Sequence, residues 1–316
     1  VGVTMQSSNF SESFTYFSLT LYGVVIAIEY FVSFFKNEKI YSLKDTVVNL
    51  VTGLFALYLP YLVALALLGF LYNILHPYAI FSMPSIWSGL INEHQFHAWA
   101  FLFLFVCDDL SYYVYHRASH VIRFFWCIHE VHHSSEEYNL SVYFRASFLE
   151  YVFQGFFWIP MILIGFTFED MVFQMSVSLF YQFWLHTKWT KKIPVLDLFL
   201  NVPRFHRVHH AKNIHYLDRN FGAIFIVWDR LFHTFEEEEV KPEYGVLSPP
   251  NSFNPLHVSV HAFLALWKDI KNTDVGFMEK IAYLIAPPGW RHDGLGQTTQ
   301  VLQAIEFKTA ASHTPS

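Results

Sequence analysis

The 316-residue chain is short of charge: Asp, Glu, Lys and Arg make up 15% of it, against about 25% in soluble domains. With 53% hydrophobic residues and 35 Phe, that shortfall excludes an ordinary water-facing surface. Cysteine is scarcer still. Cys107 and Cys127 alone are too few for a disulfide framework or a cysteine zinc site. Both lie among apolar neighbours and read as small buried side chains. Positive charge is not in excess either. A net charge of −6 provides no basic face, so nucleic acid is not an expected partner. Val1 to Glu12 lacks the basic stretch of a signal peptide. No internal repeat is visible.

What is present is apolar length. Phe14 to Phe35, Val47 to Tyr72, Ala98 to Tyr115, Phe148 to Phe166 and Met171 to His186 are the apolar runs, and about 20 helical residues cross a hydrocarbon core. Pro60 predicts a kink in the second. The fifth is short and holds Gln174 and Gln182, which suits packing against protein rather than lipid. Placing Lys36, Lys39 and Lys44 in the cytoplasm leaves no basic residue in Asn73–His97 or in the Thr167–Asp170 turn, so all 20 fall on one side. Phe221–Phe235 and Val258–Ile270 look amphipathic. The latter suits either a helix in the membrane interface or an ordinary cap helix. The acidic run Glu236–Glu239 reads as a solvated face.

Histidine is the outlier, with 18 residues. His116 and His120 form HxxxH. His129, His132 and His133 form HxxHH, and His206, His209 and His210 form it again. Residues three and four apart share a helix face, so clusters on different helices can close shells around two metals. At this density HxxHH would arise by chance about 0.06 times in such a chain, so two copies point to metal. Neutral imidazole suits Fe, Zn, Cu and Ni. Iron is preferred because open histidine sites on membrane helices suit O₂ chemistry, and zinc remains compatible. His186 ends the fifth run on the same side and is a ninth expected ligand. Asp109, two turns before His116, or Asp108 beside it, is an expected carboxylate partner for a ligand histidine. Asp218 and Asn220 are weaker candidates beside the last cluster. Glu130 either supports the site or faces solvent. His76, His94, His97, His215, His233, His257, His261, His292 and His313 are not expected ligands.

The stretches DDLSYYVYHRASH, HEVHHSSEEYNLSVYFRAS, HRVHH and NFGAIFIVWDRLFHTF resemble the fatty acid hydroxylase and sterol desaturase superfamily, in its order and spacing. HEVHHSSEEYNLS and the later PPGW are most similar to its alkylglycerol monooxygenase branch and bacterial relatives. The resemblance spans roughly residues 98–290, the first two runs being generic. It implies a non-haem centre of two Fe ions, O₂, an external electron donor and a lipid substrate from the bilayer. It carries the ligand role to His116, His120, His129, His132, His133, His206, His209 and His210, and extends it to His186. Where some relatives have a second HxxxH, His186 is followed four residues on by Thr190. Nine ligands instead of ten imply an open or water-filled position. Tetrahydrobiopterin is implied by the resemblance alone.

The expectation is therefore an all-α integral membrane protein. It has four to five membrane-embedded helices and a cytoplasmic helical cap with a histidine-rich dimetal site. Residues 1–97 supply N-terminal spans and an external loop, 98–290 the catalytic region, and 291–316 a polar tail. The expected activity is lipid hydroxylation, in the bacterial inner membrane or endoplasmic reticulum. A substrate cavity lined by Phe124, Phe125, Trp126, Tyr143 and Phe144 is expected between the span ends. The alternatives are a desaturase with the same metals, a zinc-dependent membrane hydrolase, and a metal transporter. A transporter would place its ionisable residues at the bilayer midplane rather than at helix ends.

Overall fold

A computed structural model describes residues 2–85 and 97–312, with side chains over 17–85 and 97–309. His94, His313 and residues 86–96 of the expected external loop lie outside the described residues. Among the described residues three helices are long and apolar enough to cross a membrane. Helix α1 is Gly2–Phe35, with its apolar span at Phe17–Phe35. Helices α2 (Leu43–Leu57) and α3 (Leu59–Leu75) form one 36-residue apolar path, Leu43–Tyr78. It breaks at Tyr58 because Pro60, in the first turn of α3, has no N–H to continue the α2 ladder. The kink expected at Pro60 is this break. Helix α4 (Ala98–Val121) is the third.

The two remaining apolar runs make a shorter hairpin. The first is broken into α6 (Glu150–Gln154), a 3-10 turn at Gly155–Trp158 and α7 (Ile159–Ile164). The second is α8 (Phe168–Phe183, 16 residues), about 24 Å long where a span needs about 30 Å. The hairpin turns at Gly165, whose φ of 108° favours glycine and whose Cα lies against the Phe81 carbonyl. Trp158, Met161, Ile162, Phe166 and Met171 pack with Leu68, Ala100 and Leu104 into one buried cluster. Gln174, Ser178 and Gln182 are buried on the same helix, so α8 packs against protein, as its glutamines suggested.

Between these lies α5 (Arg123–His133), which carries the first HxxHH. Beyond Thr187 the chain has short helices: α9 (Leu196–Phe199), α10 (Pro203–His209) and α11 (Val227–Leu231). The described residues contain no named strand, only isolated bridges Leu200–Phe225 and Ala211–Tyr244. Phe221–Phe235 is not an amphipathic helix. Apart from α11 it is irregular, because the Asp229 carboxylate takes the N–H groups of Phe221 and Gly222 at 2.8 Å each and fixes a loop. Helix α12 (Pro255–Asn272) fits the cap reading along its inner face: Val258 packs with Val48 and Val131, and Leu266 with Cys127 and Tyr283. Its Leu264 and Trp267 stay exposed. Helix α13 is Phe277–Ile285. The expected polar tail instead contains helix α14, Thr299–Ser312. Gln303 ties it to the carbonyls of Ile214 and Leu217 at 3.2 Å.

Candidate metal centre

Nine histidines converge. His116, His120, His129, His133 and His209 form one group, and His132, His186, His206 and His210 form a second, with ligand atoms in each within 4.8 Å of one another. The two groups touch: the rings of His133 and His210 stack with centroids 4.4 Å apart. Helix geometry divides the motifs. On α5 and α10, residue i+4 lies about 40° to one side of residue i, and i+3 about 60° to the other. Thus His129 and His133 face the first group while His132 faces the second. His206 and His210 face the second while His209 faces the first. Each HxxHH serves both groups, in opposite senses.

The hydrogen bonds fix what each ring presents. Carbonyl oxygens only accept, so Nδ1 must donate in His116 (to Phe221 O, 2.8 Å), His132 (Arg145 O, 2.9 Å), His186 (Gln182 O, 3.1 Å) and His209 (Arg219 O, 2.9 Å). Carboxylates receive the Nδ1 of His120 (Asp218, 3.3 Å) and of His129 (Glu150, 3.2 Å). The neutral rings then offer bare Nε2 lone pairs. Yet His132 Nε2 faces His186 Nε2 at 3.2 Å, and His116 Nε2 faces His129 Nε2 at 2.9 Å. Lone pairs that close repel unless a cation sits beside them. Two nitrogens about 2.1 Å from one ion stand about 3.0 Å apart at right angles and about 3.4 Å apart in a tetrahedron. The His186–His206 and His206–His210 Nε2 separations, 3.1 Å each, also fit. The buried Nε2 atoms of His120 and His209 have no protein partner, as ligand atoms would lack one.

Electrostatics agrees. Burial, and then neighbouring histidines, holds His132, His133, His206, His209 and His210 well below the ordinary imidazole range. They stay neutral in water near pH 7, as metal ligation requires.

The residues expected to support the ligands are placed differently. Asp109 reaches no histidine. It accepts from Ile224 N (2.8 Å), Phe225 N (3.2 Å) and Trp228 Nε1 (2.8 Å). It anchors the loop whose Phe221 carbonyl holds His116. Asp108 takes Trp158 Nε1 at 2.7 Å. Glu130 is not among the groups' histidine partners: its Oε1 lies 3.6 Å from His261 Nδ1. Asn220 braces the loop through Phe205 O and Glu236 O. Among the described residues, His76, His97, His215, His233, His257, His261 and His292 join neither group.

Sequence reasoning missed Glu150, which also takes the Tyr115 hydroxyl. A carboxylate inside an apolar run was the available signal. It also missed the part played by the first spans. The Arg145 carbonyl that holds His132 belongs to a residue whose guanidinium bonds Asp45 (3.1 Å) and Asn49 (2.9 Å) of α2. Glu29 of α1 takes Tyr41 OH (2.6 Å), Leu140 N (2.8 Å) and Thr187 Oγ1 (2.6 Å). It thereby joins α1 to the chain on either side of the second group.

Two spaces adjoin the site. A cavity of about 420 Å³ has His120, His133 and His209 on its wall, with Trp126, Glu130 and Lys212. A narrow slot of about 20 Å³ lies between α3, α4 and the hairpin. Ala64, Leu68, Tyr112, Gly155, Met175 and Gln182 are on its wall. Of the aromatics expected around a substrate, only Trp126 lines either space. Phe124 and Phe125 pack on Phe153, while Tyr143 and Phe144 pack on Phe183.

Residues 101–234 match the family model described as fatty acid hydroxylase. Alkylglycerol monooxygenase of Homo sapiens is 36% identical over 209 residues, which is 65% of this chain and 46% of that protein. The Caenorhabditis elegans alkylglycerol monooxygenase is 31% identical over 286 residues, 84% of this chain and 53% of that protein. Ornithine lipid hydroxylase OlsE of Rhizobium tropici is 28% identical over 131 residues, 41% of this chain and 40% of that protein. The chain spans about half the length of the curated relatives it matches. No solved structure matches.

Proposed function

The chain carries a fatty acid hydroxylase family domain, and from that premise we propose that it is a membrane-bound monooxygenase that hydroxylates a C–H bond of a lipid with O₂ and an external reductant. The observation that carries this reading is the pair of adjacent histidine groups with bare Nε2 lone pairs facing one another. Two iron ions in those groups would supply the oxidising power that an unactivated C–H bond demands. Zinc suits the same nitrogens and binds such sites more tightly, so purified protein can carry it.

The chain's own residues orient and enclose. Six Nδ1 bonds turn six rings so that Nε2 points inward. Glu150 and Asp218 do this with charge, and four carbonyls do it without. Two residues on the slot's wall lead to the site: Tyr112 packs on His116, and the Gln182 carbonyl holds His186. An alkyl or acyl chain entering between α3, α4 and the hairpin would reach the site by widening this slot. The 420 Å³ cavity suits a water-soluble reductant, tetrahydrobiopterin being the one implied by the family resemblance. On this reading residues 98–290 are the catalytic region, braced by 1–97 and facing the cytoplasm. Were the substrate an alkylglycerol, hydroxylation beside the ether oxygen would yield a hemiacetal that falls apart to an aldehyde and glycerol.

Lipid mass spectrometry of cells expressing the chain or its His132→Ala variant, under ¹⁸O₂, tests the proposal. A product carrying ¹⁸O, or its aldehyde, present only with the unmodified chain supports it. Loss of two hydrogens indicates a desaturase, and product formation without O₂ indicates a zinc hydrolase.

A further inference from the structure

Two segments after Thr187 form one lobe. Asn201 N bonds Ile224 O at 2.7 Å, Ile226 N bonds Phe199 O at 3.0 Å, and the Arg230 guanidinium bonds Asp197 O at 3.1 Å. The lobe lies along α4 at a depth the helix itself fixes. Twenty residues from Ala98, about 30 Å, run to Arg117. Within that stretch Phe105 packs on Phe225 with ring centroids 5.3 Å apart, Asp109 takes Trp228 Nε1 at 2.8 Å, and Tyr113 stacks on Phe232 at 5.3 Å. Phe105 is only about 10 Å along the axis from Ala98. The lobe therefore flanks a candidate span well inside its length.

Its outer face is apolar. Val195 is 72% exposed, Leu198 57%, Phe199 58% and Leu231 59%. Exposed Lys191 and Lys192 fringe it, as basic side chains do where they reach from apolar surface to headgroups. We infer that this lobe is a lipid-contact surface. Its occupant is the bilayer that α4 crosses, with Leu198, Phe199 and Leu231 against its acyl chains. The same loop carries the Arg219 and Phe221 carbonyls that hold His209 and His116, so the bilayer borders the segment supporting the first histidine group.

Spin labels on cysteines introduced singly at Leu198, Leu231 and Lys241 test this in the full chain. Cys107 and Cys127 are replaced by alanine, and the chain is reconstituted in phosphatidylcholine–phosphatidylglycerol vesicles. Labels at 198 and 231 should be relaxed by O₂ and shielded from a water-soluble nickel chelate, with the reverse at 241. Equal nickel access at all three sites overturns the inference. So does shielding from both reagents at 198 and 231, which would mean a protein partner or a second copy. The unmodified chain supplies a second readout: a diazirine borne on an acyl chain should label 195–199 and 227–232 but not 236–243. Absence of that labelling also overturns it.

Discussion

The two histidine groups are neighbours built to different specifications. The first has five rings, and carboxylates hold two of them, His120 by Asp218 and His129 by Glu150. It opens on a 420 Å³ cavity. The second has four rings, and carbonyls of Gln182 and Arg145 hold His186 and His132. Tyr138 stacks beside its His186, and it borders the spans through Glu29 and Asp45. The second group is thus one ring smaller than the first, and an ion held there would have one fewer protein ligand and a weaker set of supporting charges.

The sharpest test of this asymmetry is ligand removal. His206→Ala should empty the four-membered group and abolish product formation, whereas His133→Ala should leave some metal on four remaining rings. Metal analysis and product yield read both, and equal metal loss in the two variants would break the comparison. Next, Glu150→Gln should weaken metal binding about 10–100-fold, the usual cost of removing a ligand's hydrogen-bond partner. Titration should find that loss in one of the two ions only. Asp45→Ala strands the buried Arg145 guanidinium, which burial already holds below its usual range. A cost of about 3–5 kcal/mol follows from leaving such a charge unpaired, measurable by thermal unfolding in detergent. Metal loss in this variant should begin with the second group, through His132.

Smaller effects follow at the slot and in acid. A side chain at Gly155 would meet open space. Gly155→Leu should lower kcat/KM for long chains roughly 10-fold, near the worth of two buried methylenes, and leave short chains and metal content unchanged. In the metal-free protein the neutral histidines set the sign of the pH dependence. His132, His133, His206, His209 and His210 are held well below the ordinary range. Unfolding therefore takes up protons below their unfolded pKa of about 6.5. Stability is retained above that pH and falls as the pH drops through it, which unfolding midpoints at pH 7.5 and 5.5 would reveal.

These particulars also mark what the sequence could disclose. The nine rings were legible because i, i+3 and i+4 spacing survives any tertiary arrangement of the helices. Their division between two groups was not, since it depends on how α4, α5 and α10 are rotated against each other. Glu150, Asp45 and Glu29 were visible as acids in or beside apolar runs, but their partners lie 21, 100 and 111 residues away in His129, Arg145 and Leu140. Asp109 misled for the opposite reason. Its two-turn spacing from His116 suggested a direct bond, while the loop between Phe221 and Trp228 came between them. The break at Pro60 followed from local chemistry and needed no tertiary knowledge, whereas helix α14 arose where composition suggested only a polar tail.

The measurement closest to the central claim is the iron content of the full chain loaded anaerobically, compared with that of the double variant His206→Ala/His210→Ala. The account predicts two ions per chain, falling to one. A single ion in the unmodified chain, or two retained in the variant, would contradict it.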